Sequence, residues 1–220
     1  MDADCLFDWL DIISDKTAIS DDELNSLIQL AANDNEEIRS KVAELLVLSN
    51  NDLAKEALIH LCNDSDELVR TNACDSLSVF SDVRVYEVLK NRLFSDESSL
   101  VKRYALLSIV DIMCDIGIDH LVFKNLFRAI LDESESAGIA LACYKGLYLL
   151  GEQEYLDGMI ESLTRGDYQD RCATINELTD VVNEQNGGVI KTAFLALLER
   201  ESSAAVRSTI ATALDKEIWA

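Results

Sequence analysis

Apolar residues return along this chain at the three- and four-residue spacing of helices that each bury one stripe. Leu53, Ala57, Leu58 and Leu61 form one stripe, and Val85, Val88, Leu89 and Leu93 the next. Leu121, Val122, Leu126, Ile130 and Leu131 repeat it. So do Leu156, Met159, Ile160 and Leu163, then Ile190, Ala193, Phe194, Leu197 and Leu198. Near the start, Leu6, Trp9, Leu10, Ile12 and Ile13 predict a first helix. Leu24, Leu27, Ile28 and Leu30 predict a second, capped by Ser20 and Asp21. Turn signals interrupt the pattern roughly every 15 residues, too often for the sustained heptads of a coiled coil.

Between the stripes one phrase recurs. It reads Ile38-Arg39-Ser40-Lys41-Val42-Ala43, Val69-Arg70-Thr71-Asn72-Ala73-Cys74, Val101-Lys102-Arg103-Tyr104-Ala105-Leu106 and Val206-Arg207-Ser208-Thr209-Ile210-Ala211. A weaker copy runs from Asp170-Arg171, and the most degenerate, Gly138 to Cys143, lacks the cation. The basic position therefore falls at 39, 70, 102, (139), 171 and 207, in steps of 31, 32, 37, 32 and 36. The long steps exceed the base period by about one helical turn, which predicts longer helices in the 109–117 and 179–188 stretches. Each unit opens on a polar turn such as Asn33-Asp34, Asn63-Asp64 or Ser95-Asp96, whose side-chain oxygens suit a helix N-terminus. Ser49-Asn50, Ser81, Gly117, Gly151 or Gly187-Gly188 then marks the turn to the second helix.

A polar turn followed by Val-Arg-x-x-Ala resembles the HEAT repeats, above all the short units of PBS-lyase-type HEAT proteins. The likeness covers most of residues 33–220. It is clear in four units and degraded in the two between 132 and 199. TPR repeats have a similar length, but their Trp, Gly-Tyr and Pro signature is missing. The resemblance implies an all-α, right-handed α-solenoid of stacked antiparallel helix pairs, HEAT- or armadillo-like. It divides a single domain, 1–220, into N-terminal cap helices (1–32), units at about 33–62, 63–94, 95–131, 132–164 and 165–199, and a C-terminal cap (200–220) closed by Ile218 and Trp219. It also implies an inter-repeat ladder in which Asp34, Asp64, Asp96 and Asp167 meet Arg39, Arg70, Lys102 and Arg171, with Arg207 as the last cation of the series. Unit four, with Ile139 at that place, loses its rung.

Composition supports helices. There is no proline, only 8 glycines, and 49% of residues are apolar, enough for a folded core. Charge changes the picture more: 19 Lys and Arg against 41 Asp and Glu give −22. Such a polyanion is repelled by nucleic-acid phosphates and anionic membranes. The charge serves solubility, or it attracts and steers a cationic partner. No secretory signal and no apolar run of membrane-spanning length is expected. The six scattered cysteines, without a CxxC pair, read as reduced thiols of a cytoplasmic protein.

Chemistry is sparse. His60 reads as a rim residue, and His120 follows Asp119 without a third group to complete a catalytic set. No HExxH, GxSxG, P-loop or GxGxxG occurs. Carboxylate pairs (Asp64/Asp66, Glu133/Glu135, and Asp111/Asp115 on one predicted helix face) read as solvated acid, and no cofactor or metal is expected. Cys74 and Cys143 read as core. The candidate partner-binding residues are Tyr104, Tyr144, Tyr148, Asp111, Asp115, Tyr155, Asp157 and Glu161, because tyrosine is favoured at interfaces and several surround the degenerate unit. Second helices are expected to line the concave side, where Lys55, Glu56, Glu87, Lys90, Asn91, Lys124, Asn125, Arg128, Asp157 and Glu161 are mixed in sign. The strongest acid then lies on the first helices, the turns and the first 37 residues. The expected function is a non-enzymatic, monomeric binder of a basic protein, for example an immunity protein neutralising a bacterial toxin. Alternatives are a chromophore lyase or chaperone of the PBS-lyase type and, against the charge, a HEAT-type DNA glycosylase.

Overall fold

The structure, a computed structural model, describes residues 3–134 and 136–219. Among these residues it holds thirteen α-helices and no strand. The chain is an all-α solenoid of stacked antiparallel helix pairs, arranged in two compact units, Met1–Ile118 and Asp119–Ala220.

The first unit comprises α1 (Ala3–Ser14), α2 (Asp21–Leu30), α3 (Glu36–Leu45), α4 (Asp52–Leu61), α5 (Glu67–Ser76), α6 (Val83–Ser95) and α7 (Ser99–Ile112). Tight 3-10 turns, Leu46–Leu48 and Leu77–Val79, prolong α3 and α5. Helices α1, α3, α5 and α7 form a row, each packed on the next, while α2, α4 and α6 lean against it. The recurring phrase explains this row. Its opening Ile38, Val69 and Val101 are buried, and so are the paired positions that follow, Val42 and Ala43, Ala73 and Cys74, Ala105 and Leu106. Small side chains there let neighbouring helices approach closely. The Cys62 and Cys74 sulfurs lie 3.8 Å apart in this core, and the contact with Cys62 together with burial pushes the Cys74 thiol well above its ordinary range. The helix starts are set locally. Ser20 and Glu23 make a capping box, and Asn35, Asn51, Asp66, Asp82 and Ser98 each accept first-turn N–H groups.

The second unit comprises α8 (His120–Glu133), α9 (Ala137–Leu149), α10 (Tyr155–Ser162), α11 (Tyr168–Asp180), α12 (Gly187–Arg200) and α13 (Ala204–Leu214). Its core gathers Met159, Leu163, Ile175, Leu178, Ile190, Phe194, Val206 and Ile210. Trp219 closes the end, edge-on to Phe194 with ring centroids 5.6 Å apart and its indole N–H donating to the Ala213 carbonyl at 2.8 Å. Helix α9 crosses α8 so closely that a Cβ on Gly146 would stand 2.5 Å from the Phe127 ring.

Three expectations need correction. The buried stripe of α4 is Ala54, Leu58 and Leu61, whereas Leu53 is 58% exposed. In α8 it is Phe123 and Phe127, whereas Leu121 is 57% and Val122 47% exposed. The apolar band on these helices is wider than the buried one, so spacing alone misplaces its centre. The extra residues of the two long steps fall mainly in the turns, 113–119 and 181–186, rather than in longer helices. Gly117 takes φ 71° in the first of these turns, a backbone state that favours glycine. Gly187 and Gly188 open α12 instead of closing α11.

Candidate functional site

The arginines of the phrase carry charge yet are taken up by the fold. Arg39 places Nε and Nη2 on the Asp64 carboxylate at 2.7 and 2.8 Å, and its Nη1 donates to the Asn33 and Asp34 carbonyls. Arg70 repeats the arrangement one unit on, with Asp96 at 2.9 and 3.0 Å and the Asp64 and Ser65 carbonyls. Arg171 forks onto Glu201 at 2.8 and 3.2 Å and reaches the Gly166 carbonyl. Each guanidinium thus closes its own opening turn and pins the carboxylate of the next turn. That carboxylate also accepts a backbone N–H within its own turn, from Asp66, Ser98 or Ser203. Arg39 holds Asp64 below the usual carboxylate range, and Arg171 does so for Glu201. Burial pushes Asp96 up, but the Arg70 bond and the Ser98 amide bring it down on balance.

The register differs from the expected pairs. Asp34 meets Arg39 through its backbone carbonyl. Asp167 caps α11 in place of forming a rung. Arg207 binds the Leu198 and Glu201 carbonyls. Lys102 makes no ion pair among the described residues.

The tyrosines divide between core and surface. Tyr148 needs correcting as a binding candidate: it is 5% exposed, and its hydroxyl accepts from the Asn186 side-chain amide at 2.8 Å, which makes it a core residue. Tyr144 and Tyr155 stack with centroids 6.1 Å apart. Arg128 reaches the Tyr155 hydroxyl and the Glu152 carboxylate, contacts that raise its pKa. Tyr104 is half-buried on α7. Asp111 lies near the end of α7 and Asp115 in the turn beyond it, so the two do not share a helix face. Asp157 is exposed on α10, and Glu161 pairs with Arg165 at 2.7 Å. Of the other carboxylates, Glu135 lies outside the described residues.

Sequence reasoning missed Lys145. It is 7% exposed on α9 and pairs with Glu177 and, at 3.7 Å, with Asp180. A single cation in the otherwise apolar Ala137–Leu149 segment is the signal that could have found it.

What remains is a difference in free charge. On α4, α6 and α8 the cations are engaged: Lys55 with Asp52 and Asp82, Arg84 with Glu56, Lys90 with Glu87, Lys124 and Arg128 with Glu152, whereas Lys191 and Arg200 of α12 make no ion pair among the described residues. On the turns and first helices of the first unit the acid is in excess. Residues 1–118 hold 24 Asp and Glu against 10 Lys and Arg, while residues 119–220 hold 17 against 9. A cleft of about 560 Å³ opens between the α2–α3 and α4–α5 turns, lined by Asp34, Glu36, Asp64 and Asp66 with Arg39 and His60. Asp34 and Glu36 make no ion pair among the described residues. Within those residues, too, no group of three or more His, Cys, Asp or Glu is placed to hold a metal ion, and no helix is long and apolar enough to cross a membrane.

Helix pairs stacked through an arginine ladder define the class as an α-solenoid. Residues 24–110 match the model of the HEAT repeats family, so this stretch is built of HEAT repeats. Among curated proteins no sequence matches the chain. Among the solved structures similar in fold are two that cover most of the chain. One is the complex of CpcE and CpcF of phycocyanin lyase from Nostoc sp., at 17% identity and TM-score 0.60, covering 89% of this chain and 82% of that one. The other is YibA of Escherichia coli, at 17% identity and TM-score 0.54, covering 97% of this chain and 76% of that one.

Proposed function

We propose that the chain is a non-enzymatic binding solenoid that captures a cationic protein partner on its first unit. The carrying observation is the acidic turn cleft, where Asp34 and Glu36 make no ion pair among the described residues while Lys55 on α4 and Arg84 on α6 are neutralised internally. Unpaired carboxylates in a concave surface raise the local concentration of a cationic partner and speed its association. One concrete form of this reading is an immunity protein that neutralises a basic bacterial toxin. The reading includes a monomer in a reducing cytoplasm, where buried thiols such as Cys62, Cys74 and Cys143 stay reduced. Calorimetric titration of the full chain with a basic toxin encoded beside its gene, and with other basic proteins, tests it. Binding that weakens steeply as salt rises is expected, and no salt-dependent association with any cationic candidate would overturn it.

A second reading follows from the likeness in fold to the phycocyanin lyase complex: the chain would act on, or chaperone, a protein that carries a chromophore. Incubation with a bilin and an apo-phycobiliprotein, read by absorbance of the product, discriminates the two. Chromophore attachment that depends on this chain favours the second.

A further inference from the structure

Beside the turn cleft, α1, α3 and α5 enclose a groove of about 460 Å³. Its apolar surface is Phe7, half-buried on α1, and Leu68, which stands 53% exposed in the first turn of α5. Asp11, Glu37 and Glu44 surround it, and the one cation lining it, Lys41, leans on Glu44 at 3.5 Å. The fold does not require this composition. Leu68 donates its backbone N–H to the cap residue Asp66. Glu37 does the same toward Asn35 at the matching place in α3, so a charged side chain serves equally well there. Asp11 makes no ion pair among the described residues, and Glu44 is held in place by the Asn72 amide at 2.9 Å.

We infer that this groove docks a cationic, amphipathic segment of the partner protein. An aliphatic or aromatic side chain sits between Phe7 and Leu68, and lysines or arginines face Asp11, Glu37 and Glu44. The inference rests on the reading that the partner is basic, and it names where and how that partner is held. Charge complementarity selects this occupant. A second copy of the chain, at −22, would bring carboxylates against carboxylates. Covering the exposed part of Leu68 adds an apolar contribution that charge alone does not supply. The groove between α11 and α13 is the contrast: about 330 Å³, lined by Thr179, Ser208, Thr209 and Thr212, with Lys216 as its one charge. It offers a cationic segment neither counter-charge nor a large apolar contact.

The test uses two labelled dodecapeptides of equal charge, one alternating arginine with leucine and one alternating arginine with serine, titrated into the full chain at low salt. The leucine peptide is expected to bind about tenfold tighter. Asp11→Lys with Glu44→Lys should weaken both peptides about tenfold or more. Leu68→Ser should weaken the leucine peptide about threefold and leave the serine peptide unchanged. Glu184→Lys with Glu217→Lys makes the same change of charge at exposed positions of the second unit, and less than about twofold weakening is expected. Circular dichroism confirms that each variant is folded. Equal weakening by the two double variants, or a Leu68→Ser variant that treats both peptides alike, overturns the groove and leaves diffuse capture of a cationic partner standing. Failure of both peptides, and of every basic protein in the calorimetric series, overturns the proposed function with it.

Discussion

The two units are built from the same kind of helix pair but are cross-linked differently. In Met1–Ile118 the repeat is regular. Arg39–Asp64 and Arg70–Asp96 are successive copies of one arrangement, and a second row, Lys55–Asp82 and Arg84–Glu56, ties α4 to α6. In Asp119–Ala220 that arrangement returns once, as Arg171 with Glu201, beside links of individual kind: Lys145 with Glu177 and Tyr148 with Asn186. The stretch that matches HEAT repeats, residues 24–110, lies wholly in the first unit. A repeat remains recognisable where one geometry is reused. Where each contact is made separately, the fold persists while the phrase decays.

That comparison can be broken at its strongest point first. Arg70→Ala would leave Asp96, whose side chain is 2% exposed, without its main counter-charge. Urea unfolding should show a loss of about 3 kcal/mol, and hydrogen exchange should localise it to the first unit. A loss below about 1 kcal/mol would mean that the ladder is ornamental. In the second unit, Gly146→Ala should cost about 2 kcal/mol, because the added methyl meets the buried Phe127 ring and outweighs the gain in helix propensity. Gly146→Ala at no cost would show that α8 and α9 are not in close contact.

Smaller effects sharpen the contrast. Tyr148→Phe should cost about 1 kcal/mol by removing the acceptor of the Asn186 amide. Tyr104→Phe, at a half-buried position, should cost less than about 0.5 kcal/mol. Equal costs in thermal unfolding would argue that Tyr148 is no more a core residue than Tyr104. The pH dependence is the finest probe. Asp64, Asp96 and Glu201 have folded-state pKa values below their ordinary ones, 3.8 for Asp and 4.5 for Glu. Their contribution is therefore complete above those values and is lost as pH falls through the lower folded values. Unfolding free energy should decline below about pH 4, and less steeply in Arg70→Ala, where Asp96 has lost its partner. An unchanged slope in that variant would remove Asp96 from the linkage.

Much of this architecture was legible in the residues, and the exceptions have physical causes. The cap at Ser20 is a contact within a few residues and could be read directly, whereas the caps of α3, α5 and α7 are Asn35, Asp66 and Ser98, just past the Asn33-Asp34, Asn63-Asp64 and Ser95-Asp96 turns expected to supply them. Spacing could not say which part of a wide apolar band is buried, so Leu53, Leu121 and Val122 stand exposed where burial was expected. Tyr144 and Tyr148 look equivalent at i and i+4. What separates them is their neighbours: Tyr155 stacks on the first, and Asn186 reaches the second from 38 residues away. The candidate site divides in the same way. An excess of acid was visible early in the chain, but which carboxylates stay free was not, because pairing depends on partners brought together by stacking.

Helix content and repeat period are legible in the residues alone, since they arise from interactions between residues a few positions apart. The tertiary structure decided the register of the ladder, with the guanidinium of one repeat on the carboxylate of the next, 25 residues away for Arg39 and Asp64 and 30 for Arg171 and Glu201. It also decided that the cations of α4, α6 and α8 are neutralised while Asp11, Asp34 and Glu36 are not. Coulomb and hydrogen-bond energies at contact distance depend on which helices lie side by side, and that is settled only when the pairs stack.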